Sequence, residues 1–265
     1  MRSLLFVPAD SEKKLAKSPE SGVNVLLLDL EDSVAPARKE IARAMACDFL
    51  KSRPARLRAF VRINPLATPY AMDDLAAVMP GRPDGIMLPK CAGGDEIRFL
   101  DRELTALEGK LGVAAGTQIL PIVTETARAM FALGTYAGSS PRLAGLMWGA
   151  EDLAADLGAL ANKRADGSYE TPFAVARSLC LFAAAAAGVP AIDTVYTDFR
   201  DSAGLERECH EAVRSASPPR RRSIPPRSRR SIASSRPMRP PSSARRRSSM
   251  PSRRHPRRAW SASTA

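Results

Sequence analysis

Residues 23–32 read VNVLLLDLED, an apolar run that stops abruptly at acids. A strand with one wet face alternates apolar and polar residues. A run without polar gaps is buried on both faces, as strands inside a parallel sheet are. The same form recurs as SLLFVP (3–8), RAFVRIN (58–64), GIMLPK (85–90), QILPIVTET (118–126), LAGLMWGAED (143–152) and AIDTVYTDF (191–199). Amphipathic stretches lie between them, among them PARKEIARAMACDFLKS (36–52), DEIRFLDRELTALEG (95–109) and TPFAVARSLCLFAAAAAG (171–188). The repeat is close to the roughly 30 residues of a βαβ unit. Seven such units, with no Gly-rich phosphate fingerprint after the first strand, predict an α/β fold of the (β/α)8 TIM-barrel type rather than a doubly wound sheet. After Ala212 the periodicity vanishes into Arg, Ser and Pro. The barrel is therefore expected to be truncated after its seventh unit, leaving the edges of strands 1 and 7 open.

Charge divides the chain at the same place. The 265 residues carry a formal charge of +12, but residues 214–265 hold 16 Arg and no Lys, Asp or Glu. The first 213 residues keep 24 basic and 28 acidic side chains and are mildly acidic. Two segments follow: a barrel domain over 1–213 and an Arg/Ser/Pro-rich tail over 214–265. Cys47, Cys91, Cys180 and Cys209 form no CxxC pair, which predicts reduced thiols and a cytoplasmic location rather than a zinc site or disulfide framework. The N-terminal apolar run is too short for a secretory core, and no segment approaches the roughly 20 apolar residues of a membrane span.

Barrel chemistry sits at the C-terminal ends of strands. The polar residues there are Asp29, Glu31 and Asp32 after strand 2, Arg62 and Asn64 at strand 3, Lys90 at strand 4, Glu125 after strand 5, Glu151 and Asp152 after strand 6, and Asp198 after strand 7. Glu125 and Asp152 end neighbouring strands, so their oxygens can converge on one hard cation. Two carboxylates with waters and substrate oxygens suit Mg2+. The same two residues also read as first-turn acids that favour a helix dipole. Arg62, in an apolar strand, needs an anionic partner, either a substrate carboxylate or an internal ion pair. In DLEDSV one acid is expected to hold a metal-bound water and another to cap the next helix. Lys90 meets a phosphate or snorkels at the rim. His210 is the only histidine before the tail, which argues against a histidine triad or zinc site.

The stretches RSLLFVPAD, LLLDLEDSV, VRIN, GIMLPK, ILPIVTETARAMF and LMWGAEDLAADLG together resemble the citrate lyase beta subunit-like branch of the HpcH/HpaI aldolase superfamily, in family order over residues 2–200. The resemblance implies a Mg2+-dependent lyase that cleaves a 3-hydroxy-acyl-CoA of the citryl-, malyl- or citramalyl-CoA type to acetyl-CoA and a 2-oxo acid. It implies that Glu125 and Asp152 ligate the metal, that Arg62 binds the carboxylate of the oxo-acid half, and that Lys90 lies near the CoA arm. Glu31 and Asp32 join them around the substrate. Relatives of this kind are usually trimers or hexamers, and an Asp from their C-terminal segment acts as general acid/base, whereas this chain has no acid after Glu211. Two other readings stand beside it: a pyruvate-type class II aldolase of the same superfamily acting on free 2-oxo acids, and an Arg-rich nucleic-acid binder. A disordered tail of this composition binds nucleic acid non-specifically.

Family members have an eighth strand ending in a motif like AIHPAQ and a C-terminal lid with one like GVVxxDG. Codons can be chosen for residues 222–227 so that reading one base earlier yields Ala-Ile-His-Pro-Ala-Gln. The same displacement of residues 259–265 yields Gly-Val-Val-Gly-Ile-Asp-Gly. The tail is accordingly read as an out-of-frame translation of strand 8 and the lid, which predicts poor folding and little lyase activity for the chain as written.

Overall fold

The computed structural model describes residues 3–198, 200–214 and 221–222. Each of the seven apolar runs forms a strand. β1 (Leu4–Pro8), β2 (Val25–Asp29), β3 (Arg58–Arg62), β4 (Gly85–Leu88) and β5 (Gln118–Pro121) lie side by side in chain order, all parallel. β6 (Leu146–Met147) joins β5 through the parallel bridges Ile119↔Leu143 and Ile122↔Met147. The seventh stave is split into β7 (Ala191–Ile192), paired with β6, and β8 (Val195–Tyr196). β9 (Arg221–Arg222) lies parallel between β8 and β1, opposite Val195–Tyr196 on one side and Leu4–Leu5 on the other. The staves thus form a ring, a TIM barrel whose eighth stave comprises two of the described residues. The edges expected to be open after the seventh unit are bridged over that length, because a ladder is built from main-chain groups that arginines supply as well as leucines. The remainder of the Arg-rich tail, with its expected disorder and nucleic-acid binding, lies outside the described residues.

Alternation along each stave builds two apolar shells. Leu4, Leu27, Phe60, Met87, Leu120 and Ile192 point inward and fill the barrel. Leu5, Val7, Leu26, Leu28, Val61 and Ile86 point outward under the helices. The helices are α1 (Glu12–Lys17), α2 (Lys39–Ser52), α3 (Ala71–Val78), α4 (Gly94–Leu111), α5 (Ala127–Met130), α6 (Glu151–Asp156), α7 (Thr171–Ala186) and α8 (Ser202–Arg214). α2 buries Ala42, Ala46 and Leu50, and α4 buries Ile97, Leu100 and Leu104, both at helical spacing. Each fully buried leucine contributes about 1.5–3 kcal/mol. α4 ends at Gly112, whose φ of 62° gives the left-handed turn that closes a helix. Among the described residues no helix is long and apolar enough to cross a membrane.

Candidate active site

Register sets the centre of the site. Asp29 is the Cα partner of Arg62 across β2 and β3, and both follow inward residues, Leu27 and Phe60, at a spacing of two. They therefore form the uppermost inward layer. Arg62 Nε donates to Asp29 Oδ1 and Nη2 to Asp29 Oδ2, each at 2.7 Å. The turn that follows completes the carboxylate's shell: the Glu31 and Ser33 amides donate to Asp29 Oδ1 and Oδ2 at 3.0 and 3.2 Å. Burial alone would raise the Asp29 pKa, but the Arg62 guanidinium and these donors hold it below its ordinary value. The guanidinium also lies 4.9 Å from the Phe6 ring centroid. Asp29 is thus what fixes Arg62 in place.

The outer edge of Arg62 faces two more acids, with Nη1 2.9 Å from Glu31 Oε2 and 3.4 Å from Asp32 Oδ2. Glu31 is buried, and its Oε2 makes no aligned hydrogen bond. Its other oxygen meets Lys90 Nζ at 2.5 Å, and the same ammonium stands 3.6 Å from both Asp32 Oδ1 and Asp152 Oδ1. Burial works against the Lys90 ammonium, yet the Glu31 carboxylate outweighs it and raises the pKa above the ordinary lysine value. Lys90 has φ 49°, in the left-handed region that a side chain disfavours. In that conformation its amide donates to Glu125 Oε2 at 2.5 Å.

Glu125 is 3% exposed. Burial, then repulsion from Asp152 and Glu31, pushes its pKa up to about 8 against the backbone donation from Lys90. Gly149 allows this placement: a Cβ there would come within 2.7 Å of Glu125 Cγ. Asp152, at the start of α6, is partly exposed, while the neighbouring Glu151 is turned to Asn162 Nδ2 at 2.9 Å. Glu125 lies outside the helix whose first turn it was read to favour; Thr126 is the N-cap and accepts the Ala129 amide through its side chain. A cavity of about 500 Å³ opens above these groups, lined by Phe6, Asp29, Asp32, Arg62, Glu125 and Asp152 among others.

The six candidate residues Glu31, Asp32, Arg62, Lys90, Glu125 and Asp152 thus share one connected cluster. Lys90 is turned to the acids rather than simply extended at the rim. Asn64 stands apart as a brace, its side-chain Nδ2 donating to Leu30 O and Asp74 Oδ2 at 3.1 and 2.6 Å. Asp198 is exposed and accepts the Arg200 amide in its own turn, and His210 is exposed on α8. Sequence reasoning missed Lys39, whose buried Nζ donates to Leu30 O and Glu31 O at 2.8 and 3.0 Å and pins the acidic turn. Nothing in the helical pattern of α2 marks it. It also missed what Asp29 does, although counting by twos from Leu27 reveals that it points inward. Among the described residues no three metal-ligating side chains form a group able to hold an ion.

Comparison with known proteins identifies the family. A citrate lyase subunit beta-like protein of Mycobacterium tuberculosis is 36% identical over 211 residues, 79% of this chain and 69% of the relative. A mitochondrial citramalyl-CoA lyase of Mus musculus is 33% identical over 224 residues, 80% of this chain and 64% of the relative. The crystal structure of protein CitE from M. tuberculosis in complex with magnesium, acetoacetate and coenzyme A superposes with a TM-score of 0.71 at 33% identity, over 84% of this chain and 76% of that one. The sequence profile of HpcH/HpaI aldolase/citrate lyase matches residues 2–217. With that match and these relatives, the chain belongs to the HpcH/HpaI aldolase/citrate lyase family.

Proposed function

We propose that this chain has the architecture of a Mg2+-dependent lyase that splits a 3-hydroxy-acyl-CoA of the citryl-, malyl- or citramalyl-CoA type into acetyl-CoA and a 2-oxo acid. One observation carries the reading: the carboxylates of Asp29, Glu31, Asp32, Glu125 and Asp152 stand in one connected cluster, in which Arg62 and Lys90 are the cations paired with them among the described residues. The surplus of hard oxygen donors, and a Glu125 pKa raised partly by its acidic neighbours, fit a small divalent cation held by Glu125 and Asp152, with substrate and water completing its shell. The CoA lyase relative and the solved structure with magnesium, acetoacetate and coenzyme A support the same class.

When bound there, Mg2+ supplies Lewis-acid polarisation of the substrate hydroxyl and of the carbonyl that forms from it. Arg62, held rigid by Asp29, offers its outer N–H groups to the carboxylate of the oxo-acid half, once Glu31 and Asp32 yield that edge. Glu31 and Asp32 take the place of second-rank oxygens around the substrate. The Lys90 ammonium is partly exposed and serves the CoA arm only after leaving Glu31. The enolate left on the acetyl-CoA half needs a proton, and no acid follows Glu211 in the chain. The proposal therefore includes the frame displacement after residue 213, with little turnover by the chain as written.

The test is acetyl-CoA release from citryl-, malyl- and citramalyl-CoA by a version carrying the in-frame C-terminus. Cleavage that requires a divalent ion and is lost in Glu125→Ala and Asp152→Ala is expected. Turnover without added divalent ion, or undiminished in both variants, overturns the metal role. Turnover of free 2-oxo acid aldols without CoA assigns the chain to the pyruvate-type aldolases instead.

A further inference from the structure

The two cations of the site are built differently. Arg62 is planar and clamped at two points on Asp29, whereas Lys90 carries a compact charge on a flexible four-carbon stem. The geometry points to Lys90 as a built-in counter-ion: its ammonium occupies the cation position of the carboxylate cluster in the metal-free protein, is displaced when metal binds, and so sets the metal affinity. This rests on the metal reading above and concerns a role that reading leaves undefined.

Three features of the structure support it. First, Nζ bridges Glu31 Oε1 at 2.5 Å and Asp152 Oδ1 at 3.6 Å, joining the turn after β2 to one of the two residues assigned to the metal. An ammonium and a divalent ion held by the same carboxylate lie close enough to repel strongly. Second, the left-handed backbone at φ 49° is a strained conformation for a lysine, and it gives one residue two grips on the cluster. The amide holds Glu125 Oε2, and the ammonium pairs with Glu31 and lies within 3.6 Å of Asp32 and Asp152. Third, these two grips are separable. Rotation of the side chain releases the acids and leaves the amide on Glu125, so the ammonium can leave without disturbing that metal ligand. Exposure of about a third of the Lys90 side chain gives it a path to solvent.

The test compares the full-length chain with Lys90→Gln, titrating each with Mg2+ by calorimetry. Removal of the competing charge is expected to tighten Mg2+ binding about tenfold and to lower the unfolding midpoint of the metal-free protein, where the acids lose their counter-ion. In the unsubstituted chain, labelling of Lys90 by acetic anhydride, read by peptide mass, is expected to rise several-fold on adding Mg2+. That second measurement decides the matter if Lys90→Gln fails to fold. Equal or weaker Mg2+ binding by Lys90→Gln, or labelling that stays constant or falls with Mg2+, overturns the inference while the metal site stands. If neither chain binds Mg2+, the metal reading falls and this inference falls with it.

Discussion

Glu125 is the residue whose environment reads most directly as a measurable property. Burial raises its pKa from 4.5 to about 8, and Glu31 is raised by burial as well. In the folded, metal-free protein Glu125 keeps a proton that the unfolded chain releases above pH 4.5. The stability it contributes is therefore complete below about pH 4.5 and lost as pH rises through about 8. At about 1.4 kcal/mol per pH unit, the unfolding free energy of the metal-free protein is expected to fall by a few kcal/mol across that window. Glu125→Gln, which keeps the shape and does not titrate, is expected to flatten the slope in urea melts at several pH values. An unchanged slope removes Glu125 as its cause. The residues of this cluster were legible from the sequence as acids and bases at the ends of apolar runs, although Glu151 and Asp198 share that position and turn elsewhere. Which of them touch was not legible, because pairing between Asp29 and Arg62 depends on strand register, and the Lys90 contacts depend on a left-handed backbone that no neighbouring residue announces.

At the scale of elements, two glycines separate what holds the barrel together from what holds the site. Gly85 of β4 is the partner of Phe60 in register, and a Cβ there would run into the Phe60 ring inside the barrel. Gly149 follows β6, and a Cβ there would press on Glu125 Cγ at 2.7 Å and Ile122 Cγ2 at 3.2 Å. Gly85→Ala overpacks the interior and is expected to cost about 1–3 kcal/mol in unfolding free energy with Mg2+ affinity unchanged. Gly149→Ala is expected to weaken Mg2+ binding about tenfold with a smaller loss of stability, because it displaces a carboxylate rather than filling the core. Calorimetry and urea unfolding on both variants check the contrast, and a reversed pattern refutes it. The seven runs gave the positions of the staves, yet the split in the seventh was hidden within AIDTVYTDF. There side chains take over main-chain partners: Asp193 Oδ1 accepts the Thr194 amide and the Trp148 indole, and Thr194 Oγ1 accepts the Ala150 amide. A polar pair in an apolar run carried that signal, and its meaning depends on contacts with residues some 45 positions away.

For the whole molecule the question is closure. β9 covers Leu4 and Leu5 of the five-residue β1 and all of the two-residue β8, so the top of β1, Phe6 to Pro8, lacks a ladder partner on that side among the described residues. Phe6 lines the cavity and stacks under Arg62, so this edge of β1 lies beside the site itself. No periodicity of apolar residues marks this stave in the sequence, since its place falls among Arg, Ser and Pro. That place is nonetheless informative. The displaced reading that yields Ala-Ile-His-Pro-Ala-Gln begins at Arg222, the second residue of β9. The displaced reading thus offers an eighth stave at the position where the barrel needs one. If the frame is restored there, a longer ladder and several newly buried side chains, at about 1.5–3 kcal/mol each, complete the ring. With about 2–4 °C of midpoint per kcal/mol at this chain length, the restored protein is expected to unfold on the order of 10 °C higher, and to gain the C-terminal Asp that the enolate requires. Thermal unfolding of both versions measures the first effect and acetyl-CoA release the second. A restored chain that melts no higher, or a resequenced gene that encodes these arginines in an intact frame, would leave the Arg-rich segment as the natural closure of this barrel.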